Sequence, residues 1–236
     1  MSTRHEEHIT GGGKIRSIIL GLNDGLISTF TLLVGVAAAT LVSTGSNAIV
    51  LLTGFAAMVS GAISMGLGEY ISSKSEYNYI KNELKKEKAE IELFPEEEKE
   101  EVKELFEKMG IKGQTLDACV ESVTSNKQVW IEFLTKSELG LEEPESPIIG
   151  AILTFLAFTF GSFLTLFAYI FDLGLLSLII SSVISFSMLF IVGVLKTKIT
   201  GEHKIRSGLE MVIIGIIAFI ASFGIGTLLD QLIATT

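Results

Sequence analysis

At 236 residues, 48% of them hydrophobic, and with a mean hydropathy of +0.54, the chain is too apolar for an ordinary soluble domain. A formal charge of −9 argues against a basic nucleic-acid-binding surface, and a single cysteine, Cys119, excludes a disulfide within one chain. Five apolar blocks, at 15–42, 48–71, 148–171, 173–195 and 209–229, each reach the ~20 residues that a bilayer-spanning helix needs. The acidity belongs to one segment: residues 72–146 hold 19 Asp and Glu against 11 Lys and Arg. The expected fold is all-α, a polytopic membrane protein with five transmembrane helices and a helical cytoplasmic insert between helices 2 and 3. Its expected divisions are a mobile cytoplasmic tail at 1–13, helices 1 and 2 in 14–71, an acidic metal-binding insert at 72–146, and helices 3 to 5 in 147–236.

Basic residues set the expected topology. Arg4, Lys14 and Arg16 precede helix 1, the 72–146 insert is rich in lysine, and Lys196, Lys198, Lys204 and Arg206 fall in a loop between helices 4 and 5. The loop at 43–47, the turn near Asp172 and the C-terminus carry none. That alternation fits the positive-inside bias for five spans, with the N-terminus and insert cytoplasmic and the C-terminus outside or lumenal. Cys119 in the insert suits a reducing compartment. No organellar address is visible, which leaves a plasma membrane and a vacuole-like membrane both open. The small residues at 36–39 do not read as a signal-peptide cleavage site, because the run before them is too long for an h-region and contains Asp24.

In the tail, His5 and His8 with Glu6 and Glu7 could hold a metal loosely, although a solvated tail is the simpler reading. Helix 1 holds Asn23-Asp24-Gly25, and Asp24 lies roughly three turns inside the apolar run. A carboxylate facing lipid there costs at least ~2.5 kcal/mol, so Asp24 must meet protein, water or a cation. A structural hydrogen bond to a neighbouring helix is one reading; an ion-handling carboxylate is the one favoured. Gly21-x-x-x-Gly25 around it lets another helix approach closely.

Helix 2 returns inward and carries Met65 at a comparable depth, so the two residues can share a layer. A carboxylate beside a thioether suits a borderline transition cation such as Fe²⁺ better than Mg²⁺ or Ca²⁺. Met65 as a gap-filling core residue is the competing reading. Glu69, near the interface, fits either the same path or a solvated helix end. Residues 72–93 contain no Pro or Gly, so helix 2 is expected to continue beyond the membrane.

In the insert, Glu83, Glu87 and Glu90 form an acidic stripe that suggests a cationic partner, partly blunted by Lys86. Pro95 with Glu96, Glu97 and Glu98 starts a helix to about Met109, ended by Gly110. A short helix follows around 116–123. Ser125-x-x-Gln128 then reads as a capping box for a helix to Leu139. Set against the apolar stripes, Glu87 falls between Leu84 and Ile91, Glu98 and Glu101 extend the stripe of Val102, Leu105 and Phe106, and Glu138 follows Leu134. These four point toward partner helices, where crowded carboxylates favour a cation among them. For most other glutamates an acidic solvated surface is the plain reading. Helices 3 to 5 offer hydroxyls (Ser162, Thr165, Ser181, Ser185) and the small-residue spacing Ala218-x-x-x-Ser222-x-x-x-Gly226, which read as packing. A phosphate-binding glycine loop, a Ser/His/Asp set and a CxxC pair are all missing, and His203 stands alone.

Taken together, Gly21-Leu22-Asn23-Asp24-Gly25, the segment Ser64-Met65-Gly66-x-Gly68-Glu69-Tyr70, and Trp130-Ile131-Glu132-Phe133 leading to Glu138-Leu139-Gly140-Leu141 resemble the vacuolar iron transporter family. The resemblance implies a homodimer exchanging Fe²⁺, with Mn²⁺ or Co²⁺ as further cargo, for protons, and no prosthetic group. It implies that Asp24 and Met65 line the path near the dimer axis, and that Glu87, Glu90, Glu98, Glu101 and Glu138 form the cytoplasmic metal site. Two departures stand out. Leu134 occupies the place of an expected methionine, which bears on the metal preference. Ala57 occupies that of a further helix-2 carboxylate found in some members, which leaves proton coupling to Asp24 or Glu69. The expected function is a proton-coupled exporter of divalent metal from the cytosol. Its rivals are a membrane-anchored metal sensor or buffer, a passive cation channel and, weakest, a membrane enzyme.

Overall fold

The computed structural model describes residues 12–44, 47–137 and 146–234. Eight α-helices follow in chain order among them: α1 (Gly12–Thr44), α2 (Ala48–Leu93), α3 (Pro95–Lys108), α4 (Gln114–Thr124), α5 (Lys127–Ser137), α6 (Pro147–Leu166), α7 (Leu175–Thr200) and α8 (Lys204–Ala234). A 3₁₀ turn, Phe167–Phe171, extends α6. Five helical stretches are long and apolar enough to cross a membrane, at Gly13–Thr40, Ala48–Leu93, Pro147–Phe171, Leu175–Lys198 and Lys204–Gln231. The protein is therefore an all-helical, polytopic membrane protein. It divides into two compact units, Met1–Tyr70 with Ile148–Thr236, and Ile71–Pro147.

In the first unit α1 is the helix enclosed most and α8 the least. Small residues on α1 explain its position. A Cβ built at Gly21 would lie 2.6 Å from the Thr154 carbonyl oxygen, one at Gly25 would meet the Phe158 carbonyl oxygen, and one at Gly161 would lie 2.6 Å from that of Leu22. The backbones of α1 and α6 therefore touch directly, as small residues at four-residue spacing permit. Further out, Gly226 of α8 abuts the Gly35 carbonyl, and the Ser222 hydroxyl donates to the Thr31 carbonyl. Ala218-x-x-x-Ser222-x-x-x-Gly226 thus belongs to a packing seam on α1. Hydroxyls complete the bundle: Thr29 donates to Ser162 at 2.8 Å, and Ser181 donates to the Thr165 carbonyl at 2.7 Å. Phe30, Leu33, Val34, Val50, Leu166 and Tyr169 form the apolar core around them.

The far turn is tied by Asp172, in a left-handed backbone conformation (φ 47°), whose carboxylate accepts the Asn47 backbone N–H at 3.1 Å. The buried Asn47 amide donates in turn to the Ser177 hydroxyl at 2.8 Å.

In the second unit the continuation of α2 joins α3, α4 and α5 around Ile91, Val102, Leu116, Val120, Trp130, Ile131 and Leu134. Pro95 opens α3 as expected, and Gly110 (φ 88°) follows its end. Two local expectations change. Asn126, not Ser125, caps α5: its side-chain oxygen accepts the Gln128 and Val129 N–H groups at 2.9 and 3.4 Å. Ser125 instead closes α4, its N–H donating to the Glu121 carbonyl. The basic loop between the last two spans is also shorter, because α7 continues through Lys196 and Lys198 and α8 begins at Lys204. No Pro interrupts that stretch, and Gly201 (φ 68°) supplies the only sharp turn it needs.

The glycine contacts separate two substitutions. Gly25→Ala would force α1 and α6 apart, a cost of about 1–3 kcal/mol, seen as a lower melting temperature in detergent. Gly68→Ala should leave that temperature unchanged, since nothing lies within 4 Å of a Cβ there.

Candidate functional site

Asp24 lies on α1 beside Gly25, the residue pressed onto α6. Successive helical positions turn by about 100°, so while Gly25 faces the α6 backbone, Asp24 is rotated to the flank of that contact. The residue is half-buried. Among the described residues no hydrogen bond or ion pair reaches its carboxylate; Ser28 donates only to its backbone carbonyl. Its neighbour Asn23 has a side-chain carbonyl oxygen buried without a partner.

Phe158 of α6 relates α1 to α2. A Cβ at Gly61 of α2 would strike the Phe158 ring, as one at Gly25 would strike its carbonyl. Met65, half-buried, is one turn from Gly61, and Asp24 adjoins Gly25, so the two differ in depth by about one helical pitch, ~5 Å. Ala57, where the resemblance leads one to expect a carboxylate in some members, is half-buried on the same helix.

Toward the start of α1 a contact ties these faces together. The Ser17 hydroxyl, on a residue 4% exposed, donates to Glu69 Oε1 at 2.8 Å. Ser17 and Asp24 are seven residues apart, about 20° from one line on α1; Met65 and Glu69 are four apart, about 40° from one line on α2. The bond between Ser17 and Glu69 thus joins a residue on the strip of α1 that bears Asp24 to one on the strip of α2 that bears Met65. Ser17 escaped the reading of the sequence, although its seven-residue spacing from Asp24 is a usable signal. Gly150 of α6 escaped it as well, and a Cβ there would lie 3.1 Å from Glu69 Oε1.

In the second unit the glutamates divide. Glu87 and Glu98 are buried, each 6% exposed, whereas Glu90 and Glu101 are exposed. Glu101 thus departs from the inward direction expected of it. The reason is helical phase: Glu87 precedes buried Ile91 by four residues and Glu98 precedes buried Val102 by four, sharing their faces. Glu90 and Glu101 each stand one residue before those apolar positions and are carried to the flank. Glu138 lies outside the described residues, as do His5 and His8. Among the described residues no group of three or more His, Cys, Asp or Glu side chains is arranged to hold a metal ion.

Several acids outside the core have lysine partners: Glu83 with Lys86 at 2.6 Å, Glu100 with Lys103 at 2.7 Å, Glu121 with Lys99 at 3.1 Å and Glu132 with Lys136 at 2.8 Å. The hydrogen bond and charge of Glu100 hold the Lys103 ammonium above its ordinary pKa, and those of Lys136 hold the Glu132 carboxyl below its own. Such exposed pairs are worth little to stability. Leu134, where the resemblance leads one to expect a sulfur, is fully buried in the core.

A family model described as the VIT family matches residues 15–227. The chain is 37% identical over 221 residues to vacuolar iron transporter 1 of Arabidopsis thaliana, covering 92% of this chain and 87% of that one. It is 36% identical over 225 residues to a vacuolar iron transporter of Centaurea cyanus, covering 94% and 90% respectively. A vacuolar iron transporter of Toxoplasma gondii is 31% identical over 244 residues, covering 97% of this chain and 79% of that one.

Trp130 is the sole tryptophan and lies in the same core as Leu134, so its fluorescence reports on that unit. Leu134→Ala should destabilise it by about 2–5 kcal/mol through the cavity left behind. Glu101→Ala should leave the same fluorescence transition within about 0.5 kcal/mol.

Proposed function

The chain belongs to the VIT family, and on that footing we propose that it carries Fe²⁺ across a membrane, out of the cytosol, in exchange for protons. The observation that carries this reading is a carboxylate within an apolar spanning helix, half-buried and without a hydrogen-bond or ion-pair partner among the described residues. Such a group is too costly to keep in hydrocarbon unless it meets water or a cation on the way through. A carboxylate binds a proton or a metal ion but not readily both, and that exclusion links the two fluxes. Met65 supplies a polarisable sulfur that favours Fe²⁺, with Mn²⁺ and Co²⁺ as further cargo, over Mg²⁺ or Ca²⁺. Glu69 is the path carboxylate nearer the start of α1.

The working unit is a homodimer, so that two Asp24 carboxylates from two copies balance one divalent ion. On the cytoplasmic side Glu87, Glu90, Glu98, Glu101 and Glu138 collect the metal and deliver it to the membrane path. In favour of that role, Glu87 and Glu98 are withdrawn from solvent on two different helices, each four residues before a residue of one shared apolar core. The membrane is a vacuole-like one, in keeping with the vacuolar iron transporters the chain is similar to, with the N-terminus and the acidic unit facing the cytosol.

Proteoliposomes loaded with a pH-sensitive dye test the scheme. Fe²⁺ uptake should be accompanied by proton movement the other way; flux without it would indicate a passive channel. Asp24→Asn should lower uptake at least about tenfold, the loss of ~1.4 kcal/mol or more of ion stabilisation, while the protein still elutes as a dimer. Met65→Ala should weaken uptake less. Asp24→Asn transporting at the normal rate would contradict the proposal. Glu98→Ala combined with Glu101→Ala should raise the Fe²⁺ concentration needed for half-maximal uptake and leave the melting temperature of the bundle in place.

A further inference from the structure

We propose that Ser17 is a positioning residue for the Glu69 carboxylate, and that the junction of α1, α2 and α6 where they meet is a staging position for the divalent ion ahead of Met65 and Asp24. This inference rests on the transport reading above and goes beyond it by assigning a residue and a station.

Ser17 is buried although both its neighbours, Arg16 and Ile18, are exposed. Its hydroxyl has two acceptors in reach, the Gly13 carbonyl at 3.1 Å and Glu69 Oε1 at 2.8 Å. A hydroxyl has one proton, so it donates to one of them at a time, and an ionised carboxylate is the stronger acceptor. The shorter distance is to the carboxylate. Gly150 flanks this same bond: any side chain there would begin 3.1 Å from Oε1 and 3.5 Å from the Ser17 hydroxyl. The Thr154 hydroxyl donates to the Ser17 carbonyl at 3.4 Å, which ties α6 to the same turn of α1. Three helices thus fix one carboxylate oxygen, through a donor on α1 and a missing side chain on α6.

Position explains what the fixed carboxylate does. Met65 lies one turn deeper than Glu69 on the same strip of α2, about 6 Å along the axis, and Asp24 lies about 10 Å deeper than Ser17 on the facing strip of α1. Oxygen, sulfur and oxygen groups therefore follow one another at intervals that a partly hydrated cation can cross. Ordering a glutamate side chain costs up to ~1.5–2 kcal/mol of rotamer entropy, and Ser17 is one of the groups that hold Glu69. A hydroxyl that holds it in place beforehand lowers the cost of ion capture, without adding a charge of its own.

The experiment compares Fe²⁺ uptake by proteoliposomes holding the wild-type protein, Ser17→Ala, Ser17→Thr, Glu69→Gln and the double variant Ser17→Ala/Glu69→Gln. Ser17→Ala should raise KM about three- to tenfold, the worth of one hydrogen bond, with kcat within about twofold. Ser17→Thr keeps the hydroxyl and should restore KM. The double variant should be no worse than Glu69→Gln alone, because Ser17 acts only through that carboxylate. An unchanged KM in Ser17→Ala, or effects of the two single variants that multiply in the double, overturns the assignment. If Ser17→Ala does not fold, Ser17→Cys, of similar size with a weak donor, must show the same rise in KM, and a normal KM there overturns it equally. Wild-type protein without Fe²⁺ flux, or Asp24→Asn with normal flux, overturns the transport reading itself and this assignment with it.

Discussion

Backbone contact between α1 and α6 governs the membrane unit. Gly21, Gly25 and Gly161 leave no room for a Cβ between the two helices, so the surfaces of α1 are assigned before any larger side chain is considered. One face belongs to α6, and farther along a second belongs to α8 through Gly35, Thr31, Ser222 and Gly226. Asp24, next to Gly25 in the chain, is turned away from the tightest contact by the pitch of the helix. Without a driving force from water inside a bilayer, such close packing is the chief means by which helices hold one another. The same glycines that hold the bundle together thus decide that the carboxylate is only partly enclosed.

The Ser17–Glu69 bond complements that contact by fixing the rotation of α2. It couples a residue at the start of α1 to one near the end of the apolar part of α2, and helical geometry then carries the consequence inward. On our proposal Met65 follows Glu69 and Asp24 follows Ser17 along their own helices. A single hydrogen bond is modest in energy, ~1 kcal/mol net. Its geometric reach is greater than its energy suggests, because each helix behaves as a rigid rod over the two turns involved.

The acidic unit follows the rules of a small soluble helical domain. Its core is a ring of aliphatic and aromatic side chains around Leu134 and Val102, and its surface carries lysine–glutamate pairs one helical turn apart. The two buried glutamates break that pattern. Each takes a position four residues before a buried apolar residue, on the face that carries the core.

Much of this was legible in the residues alone. Five apolar runs dictate five spans, because only a helix satisfies its backbone within a bilayer. The absence of Pro and Gly from 72 to 93 dictates that α2 runs on, and Pro95 and Gly110 bracket α3. Asp24 announces itself by charge in an uncharged run, and Glu87 and Glu98 by their four-residue spacing from Ile91 and Val102. Spacing alone left Glu98 and Glu101 level, since Glu98 precedes Val102 by four residues and Glu101 precedes Leu105 by four; the fold buries Val102 fully and Leu105 only in part, and so decides between them. Nor could sequence choose between Ser125 and Asn126 as the cap, because either side chain can accept an N–H and the difference lies in where α4 ends. Spacing from Asp24 marked Ser17 only weakly and nothing marked Gly150, for a deeper reason. A serine and a glycine have no chemistry of their own until the fold brings a carboxylate from fifty residues away against the one and across the other, and only the packing of three helices does that.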